Sequence, residues 1–155
     1  MKNNKLRISE WFKQSEYDFA TAGAMFKSRR YIYAVFMCHL AMEKALKGLY
    51  CATVIGRLPV KLQPTIPGSN FTNCRSKEHP PKIHDLVSLV TKCRLNPSPG
   101  LKEFVGQVNQ MSIVTRYPES LAKMQKVFSF KMASKIIKQT KEALKWIKEE
   151  SDKLC

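Results

Sequence analysis

Between residues 31 and 50 the chain alternates in a pattern that other segments only approach. Tyr31, Ala34, Val35, Cys38, Ala41, Met42, Ala45, Leu46 and Leu49 recur three and four positions apart, the spacing that lines one face of an α-helix. A second row, Phe36, His39, Leu40, Glu43 and Lys47, falls on an adjacent face. The same helix is therefore expected to display an imidazole, a carboxylate and an ammonium about one turn apart. It is expected to stop near Ala52, ahead of Gly56.

The flanking segments continue in the helical period. Ser9 followed by Glu10 and the apolar rhythm of Trp11, Phe12, Phe19, Ala22 and Phe26 predicts an N-capped amphipathic helix ending near Ser28. A short basic joint, Arg29-Arg30, then makes the next helix antiparallel to it. From 53 to 83 the periodicity disappears and Pro59, Pro64, Pro67, Pro80 and Pro81 accumulate, which predicts a long loop. His84-Asp85-Leu86-Val87-Ser88-Leu89-Val90 opens a short helix, with His84 or Asp85 able to accept from the free N–H groups of its first turn. Asn96-Pro97-Ser98-Pro99-Gly100 breaks the chain, and another helix is expected over 101–111 through Leu101, Phe104, Val105 and Val108. Thr115-Arg116-Tyr117-Pro118-Glu119 is expected not to continue it, because a residue before proline is pushed out of the α region. The last helix, about 129–151, gathers Ala133, Ile136, Ile137, Thr140, Ala143, Leu144 and Ile147 on one side and Lys131, Lys135, Lys138, Lys145 and Lys148 on the other. Glu142 and Glu149 follow Lys138 and Lys145 by four residues, so this stripe reads as a salt-laced solvated face. The fold class that follows is all-α, an antiparallel up-and-down bundle of four to five helices.

Composition refines that picture. A chain of 155 residues, 44% of them hydrophobic, supports one core, so a single domain over 1–155 is expected, with 53–83 as an inserted loop. No apolar run reaches the length of a membrane span, and the start, MKNNKLRISEW, lacks the apolar stretch of a signal peptide. A cytoplasmic protein without a membrane partner is expected. Five cysteines, at 38, 51, 74, 93 and 155, fit reduced thiols better than a disulfide framework. The formal charge of +15 favours a polyanionic partner such as RNA or a nucleotide. It is spread along the chain, with ten basic against four acidic residues in 1–60, eight against four in 61–120 and nine against four in 121–155. Solubility alone also accounts for such a spread.

Three segments, HLAMEKALKGLY at 39–50, HDLVSLV at 84–90 and RYPE at 116–119, occur in this order on this helix pattern. Together they resemble the HEPN family, the higher-eukaryote and prokaryote nucleotide-binding domains. The resemblance implies an antiparallel helical bundle that forms homodimers and works beside, or fused to, minimal nucleotidyltransferases. Some branches are metal-independent ribonucleases acting as toxins of toxin–antitoxin pairs, and others are non-catalytic nucleotide- or RNA-binding modules. The loop at 53–83 is longer than its family counterpart. The ribonuclease branch leaves four to six residues between an Arg and the His that follows it, so that imidazole assists proton transfer and guanidinium stabilises the phosphorane. Here the histidines are His39, His79 and His84; Arg75 and His79 are separated by three residues, and Arg116 has no histidine after it. That spacing weighs against catalysis, and no catalytic residue is assigned.

The candidate nucleotide- or phosphate-binding residues are Arg116, Tyr117, His39, Glu43 and Lys47. A guanidinium beside a Tyr-Pro turn offers a planar fork for phosphate, and Tyr117 could stack on a base. Two readings of Arg116 stand side by side: a phosphate ligand, or a structural residue that caps helix carbonyls or pairs with Glu43 or Asp18, with Tyr117 in the core. His39 is equally compatible with a packed structural role, Glu43 needs a cation, for which Arg116 is the natural candidate, and His84 reads as a helix cap. Cys74, His79, His84 and Cys93 are legitimate zinc ligands but lack the paired Cys-x-x-Cys spacing of a strong site, so neither metal nor cofactor is expected. No glycine-rich phosphate loop or nucleophile elbow is present.

Overall fold

A computed structural model describes residues 2–55, 80–117 and 119–154. Six helices follow in order: α1 (Lys2–Lys27), α2 (Tyr31–Ile55), α3 (Leu86–Lys92), α4 (Pro99–Arg116), α5 (Leu121–Val127) and α6 (Phe130–Asp152). No strand occurs among the described residues. The chain is all-α, and the described residues hold one more helix than the upper end of the expected count.

The centre is α2, which packs against each of the other five helices. Its small-and-apolar stripe explains this: Ala34, Val35, Cys38, Ala41, Met42, Ala45, Leu46 and Leu49 are all buried. Helix α1 runs antiparallel to it. Gly48 near the end of α2 lies so close to Trp11 and Phe12 that a Cβ there would meet Trp11 Cβ at 3.1 Å. Further along, Ser15 Oγ donates to Ala41 O at 2.7 Å, and Lys44 pairs with Asp18 at 2.7 Å. The joint closes α1 with Arg29 in the left-handed region, φ 58°, while Arg30 N donates to Met25 O and Arg29 N to Phe26 O. These two bonds form the Schellman pattern, in a position where glycine is the usual residue.

Several boundaries differ from the sequence expectation. Helix α1 begins at Lys2 and not at Ser9, since nothing in Lys2–Leu6 breaks a helix. Helix α2 runs past the expected stop near Ala52, through Thr53 and Val54 to Ile55. The rest of the expected loop, 56–79, lies outside the described residues. Helix α4 starts at Pro99, where fixed φ suits a first turn, and extends through Thr115 and Arg116. Proline does stop it, but one residue ahead, at Tyr117 with φ −126° and ψ 64°. The unanticipated α5 is capped by Ser120 and anchored by buried Met124, followed by buried Phe128. On α6, Ser129 caps the first turn and Ala133, Ile136, Thr140, Ala143 and Ile147 are buried as the pattern requires.

Candidate functional site

Helix α2 carries the polar row inward more deeply than its position beside the apolar stripe suggests. His39 is fully buried, Glu43 is 5% exposed and Lys47 is 7% exposed. Lys47 reaches back one turn, its Nζ 2.7 Å from Glu43 Oε1 and 5.9 Å from the centre of the Trp11 ring supplied by α1. The expected display of three groups on an open face is thus corrected. Neighbouring elements cover it, and what remains is a buried ionic cluster.

The group facing Glu43 from outside α2 is His84 and not Arg116. His84 Nδ1 stands 3.0 and 3.1 Å from the two carboxylate oxygens. Its backbone carbonyl meanwhile accepts from His39 Nε2 at 3.1 Å. Burial raises the pKa of Glu43, but hydrogen bonds from Lys47 and His84, with their charges, outweigh it and hold the carboxyl below its ordinary value. An ionised Glu43 can only accept, so His84 Nδ1 carries the hydrogen. The imidazole so oriented belongs to a side chain that is 62% exposed.

His39 is arranged oppositely. Its Nε2 donates to a carbonyl, so Nδ1 holds the lone pair, buried without a hydrogen-bond partner and 4.0 Å from Glu43 Oε2. Burial pushes its pKa down to about 4; Arg116 and His84 push the same way, against the attraction of Glu43. His39 is therefore neutral at neutral pH, and its approach to Glu43 is no ion pair there.

Asp85, and not His84, caps α3. Its Oδ2 accepts from Ser88 N at 2.7 Å, while Oδ1 accepts from Asn109 Nδ2 at 2.5 Å and Asn109 Oδ1 accepts from Leu86 N at 2.9 Å. The bond from Ser88, which outweighs the partial burial, keeps this carboxyl below its usual range. Asn109 thereby ties α4 to the start of α3 and fixes the backbone from which His84 reaches Glu43. Sequence reasoning missed both roles. The signal available was that a cap needs only one of two adjacent acceptors, which leaves His84 for the unmatched Glu43.

Arg116 ends α4 exposed, its guanidinium carbon 5.4 Å from the centre of the Phe36 ring. Among the described residues no carboxylate pairs with it: Glu43 is taken by Lys47 and His84, and Asp18 by Lys44. Tyr117 is 78% exposed, so its alternative as a core residue is excluded. Of the five expected residues, His39, Glu43 and Lys47 thus form one buried cluster, and Arg116 and Tyr117 form an exposed rim whose charge reaches His39. Cys93 is buried, donates to Leu46 O and is pushed up to about 12 by burial; Cys74 and His79 lie outside the described residues. No metal-ligating cluster occurs among the described residues.

Comparison with known proteins fits this architecture. No curated protein matches the sequence. The crystal structure of TT1696 from Thermus thermophilus is similar in fold, with a TM-score of 0.64 at 18% identity over 93% of this chain and 98% of that one. The model of the HEPN domain matches residues 8–57 and 74–150, spanning α2 with its Glu43 cluster, the His84-Asp85 entry to α3 and the Arg116 end of α4. The chain belongs to the HEPN family.

Proposed function

We propose that this protein is a non-catalytic binding module that takes the phosphate of a nucleotide or RNA at the Arg116–Tyr117 rim, above the His39–Glu43–Lys47 cluster. Family membership already makes it a nucleotide- and RNA-related module. The observation that carries the finer reading is the state of Arg116, whose fork is exposed and unspent on any described carboxylate while Phe36 supports its plane. A guanidinium held this way suits bidentate contact with phosphate, and exposed Tyr117 beside it can stack on a base. The module acts as a cytoplasmic homodimer, one domain over residues 1–155 with an inserted loop, alongside a nucleotidyltransferase partner. Among the described residues no helix is long and apolar enough to cross a membrane.

The test is calorimetric titration with ATP, GTP and a short single-stranded RNA at two salt concentrations, for wild type and Arg116→Ala. Saturable binding that weakens with salt and falls at least about tenfold in a folded variant supports the reading. Unchanged binding by the variant, or none by the wild type, moves a purely dimerising assembly module to first place.

One observation favours a second reading, an RNA-cleaving HEPN domain. Glu43 orients His84 as a carboxylate orients a general-base imidazole, although no histidine follows Arg116 at the family's spacing. Cleavage of a labelled RNA that disappears in His84→Ala supports it, whereas intact RNA after prolonged incubation with wild type removes it.

A further inference from the structure

The excess positive charge is not evenly spread once the chain is folded. No Asp or Glu occurs between Asp18 and Glu43, a stretch that holds Lys27, Arg29 and Arg30. None occurs between Glu119 and Glu142, a stretch that holds Lys123, Lys126, Lys131, Lys135, Lys138 and Lys141. The fold joins the two stretches through three aromatic rings. Phe130, the first residue of α6, lies 5.1 Å from Phe26 at the end of α1 and 6.1 Å from Tyr31 at the start of α2, and these two are 5.5 Å apart. All nine basic side chains are exposed. None forms an ion pair with a described carboxylate.

The far half of α6 is different. There Lys145 pairs with Glu149 at 3.8 Å and Lys148 with Glu16 at 3.8 Å. The stripe read from sequence as salt-laced is so only in this half, and Lys138 makes no ion pair with Glu142. The acid-free end also exposes aromatic surface, with Phe130 61% and Tyr33 57% accessible. Charged residues alone would serve any polyanion. Rings exposed among them favour a strand whose bases can stack, since each base has a π-face and stacking tolerates any sequence.

From these observations we infer a second binding surface, for single-stranded nucleic acid, at the α1–α2 joint and the start of α6. Lys27, Arg29, Arg30, Lys131 and Lys135 meet its phosphates and Phe130 stacks on a base. The surface is distinct from the proposed phosphate site. Arg116 overlies Phe36, which is five residues from Tyr31 on α2, about 7.5 Å along the axis and about 140° around it, so the two sites face different sides of the helix.

The measurement is fluorescence anisotropy of a labelled twelve-nucleotide oligouridylate titrated with full-length protein between about 50 and 200 mM salt. Arg29→Gly combined with Lys131→Gln and Lys135→Gln is expected to lower the log–log salt slope by about 2, close to 0.7 for each phosphate no longer neutralised. Phe130→Ala is expected to weaken binding roughly tenfold with little change in slope. Arg29→Gly alone is expected to weaken binding while raising the melting temperature, which separates removal of a phosphate ligand from damage to the fold. Lys145→Gln with Lys148→Gln, at the balanced end, is expected to leave affinity nearly unchanged. Equal weakening by both lysine sets, absence of RNA binding, or binding to phosphatidylserine vesicles in place of RNA would each overturn the inference. Arg116→Ala in the same assay keeps the two sites apart: loss there with no effect of the joint variants sinks this surface alone, and the reverse sinks only the Arg116 reading.

Discussion

Acidification should destabilise this bundle through His39. The ring is fully buried in the folded chain, and burial moves its pKa from the ordinary 6.5 down to about 4. Folding therefore keeps the ring neutral over a window in which the unfolded chain takes up a proton. Stability is fully present above 6.5 and is lost as pH falls from there to about 4. The loss is worth about 2 kcal/mol by pH 5 and about 3 kcal/mol once both states are titrated, a large part of the ~5–15 kcal/mol that holds a domain together. Glu43 and Asp85, both held below their ordinary values, work in a lower window. Their contribution is present above 4.5 and 3.8 and drains only as pH falls through still lower folded values. Urea unfolding at a series of pH values from 7 to 4.5 reads the wild-type slope. His39→Gln supplies the control, because its amide nitrogen can donate to His84 O as the ring does and carries no proton to titrate. The variant should be less stable at pH 7 by about 1–2 kcal/mol but lose markedly less on acidification. An unchanged slope in the variant, or an NMR titration placing this ring near 6.5, would rule out His39 as the acid-sensitive group.

Other outcomes follow from the same geometry. Glu43→Gln strands the Lys47 ammonium, 7% exposed, and should cost about 3–5 kcal/mol, most of it recovered when Lys47→Met is added; a double-mutant cycle closing within about 0.5 kcal/mol would refute this. Asp85→Ala removes the cap of α3 and a partner of Asn109, a loss of about 1–2 kcal/mol measurable by chemical denaturation. Burial pushes the Cys38 thiol up to about 11 and that of Cys93 up to about 12. Peptide mapping after treatment with a disulfide reagent at pH 8 should find both unmodified until denaturant is added, and labelling at the rate of a free thiol would contradict their burial.

The helical architecture could be read from the sequence because its dominant driving force, burial of a periodic stripe, is written locally. The central helix and α6 present their apolar residues at helical spacing without interruption, and the structure buries them accordingly. Helix ends were harder, since Lys2–Leu6 and Thr53–Ile55 contain no breaker and either state is locally acceptable. Only Met124 and Phe128 signal α5, too few positions to define a period. For the site, periodicity placed His39, Glu43 and Lys47 on one face but could not choose the partner of Glu43. That choice depends on how α3 approaches α2, and residues 41 positions apart had to be brought together to make it.

The partner matters for what the cluster can mean. Burying an ion pair rarely stabilises a fold more than apolar packing of the same volume, so a Glu43–Lys47 pair on the helix every other helix touches is not explained by stability alone. What the pair does is hold a third group. By accepting from His84 Nδ1, Glu43 fixes the tautomer of an exposed imidazole, and Asn109 and Asp85 fix the backbone that carries it. Arg116, at the far end of the same α4 helix that carries Asn109, is near enough for its charge to act on His39. The buried carboxylate thus orients the exposed His84 imidazole just ahead of α3, while Arg116 stands exposed over Phe36 at the end of α4.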